Sequence, residues 1–86
     1  MAIVTLRYWA AAKEAAGAAE EKVTAGTLAD ALAAAGGPAG PGERLRTVLD
    51  RSSFLIDGHP VGVRAPDQVI LADGAVVEVL PPFAGG

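Results

Sequence analysis

Leu71-Ala72-Asp73-Gly74-Ala75-Val76-Val77-Glu78-Val79-Leu80-Pro81-Pro82-Phe83-Ala84-Gly85-Gly86 is the stretch on which the fold turns. Asp73-Gly74 is a pair that favours tight turns, because glycine enters the left-handed region freely and aspartate tolerates it. Ala75 to Leu80 follows as the strongest strand signal in the chain, with valine at three of its six positions. Pro81-Pro82 then ends the strand by removing backbone donors and stiffens the exit into an extended form.

Upstream, the same grammar repeats. Phe54-Leu55-Ile56 reads as a short strand, Asp57-Gly58 as a hairpin turn, and Val61 to Val63 as the returning strand. Glu43 to Arg51 has helical spacing through Leu45, Val48 and Leu49, with Arg44, Arg46, Asp50 and Arg51 mostly on the other side. Before it, residues 37 to 42 alternate glycine with proline and alanine and read as a loop. Thr27 opens a further helix: its hydroxyl can cap, Asp30 stands at the third helical position, and Leu28, Ala31, Leu32 and Ala35 share a face until Gly36-Gly37.

At the N-terminal end, Val4, Leu6 and Tyr8 alternate with Thr5 and Arg7, the period of a strand with one buried face. An alanine-rich segment from Trp9 to Gly17 predicts a short helix closed by glycine, and Glu21 to Thr24 a strand returning against the first. The order of elements predicts an α+β domain of the β-grasp, ubiquitin-like type: a mixed sheet with helices on one face. The N-terminal hairpin and the last strand are expected at its centre. Residues 1–80 form the domain in this reading, and residues 81–86 a flexible C-terminal tail.

Composition narrows the chemistry. The chain has 86 residues, room for one modest core. Nineteen of its apolar residues are alanines, so Leu, Val, Ile and the few aromatics carry the packing. Net charge is −3 with no basic run, which argues against a nucleic-acid partner. No apolar stretch approaches the roughly 18 residues of a membrane span, and the N-terminus lacks a signal-peptide layout, so a cytoplasmic location is expected. Without cysteine, and with one histidine, disulfides, thiolate metal sites and cysteine nucleophiles are excluded, and no metal site is expected.

What remains is the tail. Six residues at ~3.3–3.6 Å each would carry the carboxylate of Gly86 about 20 Å beyond the last strand, far enough to enter another protein's active site. Gly85 and Gly86 have no side chain to block a narrow channel or shield the carbonyl carbon. A carboxylate is a poor electrophile until its oxygen is converted to a leaving group. An acyl adenylate made with ATP supplies one, and attack by a sulfur donor leaves a terminal thiocarboxylate. The plain alternative is an incidental glycine tail: eleven glycines among 86 residues make a random Gly-Gly end about a 1-in-60 event. On the carrier reading Gly86 carries the reaction, and Leu80, Pro81, Pro82, Phe83, Ala84 and Gly85 meet the partner.

Taken together, Leu6-Arg7-Tyr8-Trp9-Ala10, Lys13-Glu14-Ala15-Ala16-Gly17, Thr27-Leu28, Asp57-Gly58 and the last sixteen residues resemble the small subunit of molybdopterin synthase, within the ubiquitin-like sulfur carriers. The resemblance spans the chain and is most specific in its last sixteen residues. It implies that an adenylyltransferase related to ubiquitin activators adenylates Gly86 and that a sulfur donor protein converts it to a thiocarboxylate. The large synthase subunit would then receive the tail, and sulfur would pass to a cyclic pyranopterin precursor of the molybdenum cofactor. The chain would thus be a protein cosubstrate rather than a self-sufficient enzyme. No cofactor is expected to bind it, ATP being used by the activating enzyme. A carrier for thiamine or another sulfur-containing metabolite, a protein modifier, and a plain β-grasp interaction domain stay open as alternatives. Ala75 and Phe83 depart from the family, which often has an acidic residue and a small aliphatic one there.

Other residues read more simply. His59 in Asp-Gly-His-Pro is an exposed turn residue, Tyr8 and Trp9 are core or edge packing residues rather than a binding platform, and the arginines of 43–51 form a solvated helix face. Phe83 suits a partner pocket, and the face of the last strand with Val76, Glu78 and Leu80 is expected to expose apolar area that a partner covers.

Overall fold

The computed structural model describes residues 2–82. Strand β1 (Ala2–Tyr8) alternates buried and open positions, as its period of two requires. Helix α1 (Ala10–Ala16) follows and ends at Gly17, whose φ of 74° provides a left-handed cap donating its N–H to the Lys13 carbonyl. Strand β2 (Glu20–Ala25) returns antiparallel to β1, with Val4 opposite Val23 and Leu6 opposite Glu21.

Helix α2 (Leu28–Ala34) starts where Thr27 accepts the Asp30 N–H at 3.1 Å, and the Gly-Pro loop leads to α3 (Glu43–Arg51). Strand β3 (Ser53–Ile56), the two-residue β4 (His59–Pro60) and β5 (Val76–Leu80) complete the sheet, with a 3₁₀ turn at Pro66–Gln68.

The sheet order is β2-β1-β5-β3-β4. β5 lies parallel to β1, with Tyr8 opposite Val79, and antiparallel to β3, with Ser53 opposite Leu80. This is a mixed β-grasp sheet. The last strand is central as expected, but of the N-terminal hairpin only β1 joins it there, and β2 forms an edge.

All three helices pack on one face. Val4, Leu6 and Tyr8 of β1 and Val77 and Val79 of β5 share the core with Ala12, Leu28, Ala31, Ala35, Leu45 and Leu49. Ala12, Ala31 and Ala35 are fully buried, and their small side chains let helix backbones approach the sheet while leucine and valine supply the apolar area.

The returning strand of the second hairpin differs from the expected Val61–Val63. Asp57 (φ 49°) and Gly58 (φ 84°) form a two-residue turn that reverses the chain at once, pairing His59 with Ile56 and Pro60 with Leu55. Val61 donates one last bond to the Phe54 carbonyl, and Gly62, at φ 65°, then turns the chain away, leaving Val63 fully exposed. Among the described residues no helix is long and apolar enough to cross a membrane.

Candidate functional site

β5 positions the site. Its core-facing residues, Val77 and Val79, are fully buried and anchor it between two neighbours. Its other face carries Val76, Glu78 and Leu80, each half-buried, on the side of the sheet that the helices leave open. The expectation that this face exposes apolar area holds: around it stand Ile3, 56% exposed, and the half-buried Leu55. At the end of β5, Leu80 lies opposite the exposed Ser53, Pro81 is half-buried and Pro82 is exposed. Phe83, Ala84, Gly85 and Gly86, with the carboxylate on which the sulfur-carrier reading depends, lie outside the described residues. The structure thus brings Leu80, Pro81 and Pro82 to the rim of the sheet, next to its open face.

Of the two packing positions expected for Trp9, core or edge, the core is excluded: Trp9 is 46% exposed, and its indole Nε1–H donates to Glu78 Oε1 at 3.2 Å, so the ring lies on the open face. Its backbone N–H donates to the Val79 carbonyl, which ties it to the end of β5 before the prolines. Period-two alternation puts Trp9 one residue beyond the core-facing Tyr8, and that parity was the signal available in the sequence.

Tyr8 is a packing residue as expected, 2% exposed, and its hydroxyl donates to Glu21 Oε1. The same oxygen accepts the Gly36 N–H at 2.6 Å, joining β1, β2 and the end of α2. Burial first, then the hydrogen bond and the charge of Glu21, hold the Tyr8 proton well above the ordinary phenolic range.

His59 is exposed at the hairpin, as expected of a turn residue. No cluster of histidine and acidic residues able to hold a metal occurs among the described residues. The arginines of α3 are exposed, a solvated helix face. What the site offers chemically is therefore presentation: a rigid strand, an open apolar face with one aromatic, and a proline exit.

Solved structures share this fold over almost the whole chain. The small archaeal modifier protein SAMP1 from Methanosarcina acetivorans matches with a TM-score of 0.78 at 24% identity, covering 100% of this chain and 98% of that one. SAMP1 from Haloferax volcanii matches with 0.75 at 24% identity, over 98% and 99%. Another match is found in a protein–protein complex of subunits 1 and 2 of molybdopterin-converting factor from Helicobacter pylori, with 0.66 at 23% identity, over 98% and 99%. No curated protein sequence matches significantly. The ThiS family model matches residues 6–86, from the first strand through both terminal glycines, and the chain accordingly belongs to the ThiS family.

Proposed function

We propose that this chain is the sulfur-carrying small subunit of a molybdopterin synthase, with Gly86 as its working residue. The observation that carries the reading is the family match running through Gly86, and the exposure of Pro82 just past a central strand supports it. The Gly86 carboxylate attacks the α-phosphorus of ATP in an activating enzyme, releasing pyrophosphate and leaving an acyl adenylate. A sulfide-level donor adds to the carbonyl carbon, AMP departs, and the terminus becomes a thiocarboxylate. That group is ionised and nucleophilic at neutral pH, and it delivers sulfur to a pyranopterin precursor held by the large subunit.

The large subunit is placed on the open face, where Leu80, Leu55, Ile3 and Trp9 offer apolar area beside the exit of the tail. The H. pylori relative, solved with its second subunit, favours such a partner. The likeness to SAMP1 favours a second reading, in which the same activated glycine is joined by an amide to lysines of other proteins.

Intact mass separates the two. After incubation with ATP, the cognate adenylating enzyme and a sulfur donor, the carrier gains the mass difference of sulfur replacing oxygen, and a chain lacking Gly86 gains nothing. Lysine adducts of whole-chain mass without a thiocarboxylate would favour the modifier. No gain of either kind would leave a plain interaction domain.

A further inference from the structure

We propose that the groove between β3 and the loop after β4, with Arg64 in its wall, receives an acidic side chain of the subunit that docks on the open sheet face. The inference rests on that docking and deepens it by assigning the partner's chemistry.

The groove exists because β4 is short. Pairing along the outer side of β3 stops at the bond from the Val61 N–H to the Phe54 carbonyl, and Gly62, at φ 65°, turns the chain away before it reaches Ser53. The space so opened is about 300 Å³, with apolar walls at Phe54, Pro60 and Pro66 and hydroxyl residues at Ser52 and Ser53.

Arg64 is fixed by the backbone of the same loop. Its Nε–H donates to the Val61 carbonyl at 3.0 Å and an Nη2–H to the Pro60 carbonyl at 3.3 Å. Those bonds occupy one side of the guanidinium fork and leave the Nη1 edge for a second acceptor pair, which a carboxylate can fill bidentately. A side chain already held by two carbonyls loses little further freedom on binding. Among the described residues no acidic side chain lines the groove, so the chain supplies no counter-charge there.

Two features select a protein carboxylate over a free anion. The net charge of −3 repels small anions, whereas a carboxylate carried by a docked subunit arrives at high effective concentration. The groove is also continuous with the open face, because Leu55 belongs to both and Ser53 lies opposite Leu80 at the end of β5. Val63, next to Arg64 in the chain and fully exposed, adds apolar area for the same partner to cover.

Calorimetric titration with the cognate large subunit, at two chloride concentrations, compares the parent, Arg64→Gln and Arg44→Gln, the last making the same charge change on the exposed face of α3. Arg64→Gln is expected to bind about tenfold more weakly and with a shallower salt dependence, and Arg44→Gln to stay near the parent. Arg64 is exposed, so the variants keep the urea midpoint of the parent. Parent-like affinity and salt dependence in Arg64→Gln overturn the proposal, as does an equal loss in Arg44→Gln, which would reduce the effect to net charge. Saturable NMR shifts of the Ser53 and Arg64 amides with millimolar phosphate on the isolated protein would assign the groove to a free anion and overturn it too. A parent that does not bind the large subunit defeats the proposed function, and this inference with it.

Discussion

Replacing Glu21 by alanine tests whether one half-exposed carboxylate holds three elements together. Its Oε1 accepts from the hydroxyl of Tyr8 and from the N–H of Gly36. The Gly36 bond is at the surface, where water takes over, so its loss costs little. Tyr8 is 2% exposed, and among the described residues its hydroxyl has no other partner, so Glu21→Ala leaves a buried donor unsatisfied at about 1–3 kcal/mol. For a domain of 86 residues a loss of about 2 kcal/mol lowers the Tm by about 8–16 °C. In a Tyr8→Phe background there is no hydroxyl to strand, and Glu21→Ala is expected to cost no more than about 0.5 kcal/mol. Equilibrium urea unfolding of the four proteins yields both costs, and comparing backgrounds cancels changes in strand propensity at position 21. Equal costs in the two backgrounds refute the reasoning.

The same pair sets a pH dependence. Because burial and Glu21 raise the Tyr8 pKa above its unfolded value of about 10, its contribution to stability is complete below pH ~10 and is lost as pH rises beyond it. The urea midpoint of the parent should therefore fall more steeply above pH ~10 than that of Tyr8→Phe, and parallel falls would contradict this. Thr27→Ala removes the cap on α2 and is expected to cost about 1 kcal/mol in urea unfolding. Leu28→Ala, at a fully buried position, should cost about 2–5 kcal/mol, whereas Ile70→Ala, 76% exposed, should stay within about 0.5 kcal/mol.

The sequence by itself determined most of the elements, because their signals are local; the returning strand expected at Val61–Val63 is the exception. The period of two in Val4, Leu6 and Tyr8, the Thr27 cap three residues before Asp30, the glycine stop at Gly17 and the Asp57-Gly58 turn each act within a few bonds of backbone, and all appear where the pattern put them. The proline exit was legible for the same reason: Pro81 and Pro82 end the strand wherever they stand, whereas the glycines beyond them lie outside the described residues. Tertiary structure alone decided that β1 and β3 flank the last strand while β2 stays at the edge. Nothing near Val76 or Tyr8 states that β5 enters between β1 and β3, since its pairing with β1 joins segments about 70 residues apart and is fixed by burying Val77 and Val79 in the core. From that insertion follow the edge position of β2, the placing of Trp9 against Glu78 and the exit of Pro81-Pro82 at the rim. Alternation tells which side chains share a face. Only packing chooses the face the helices cover, and with it the one left open to a partner.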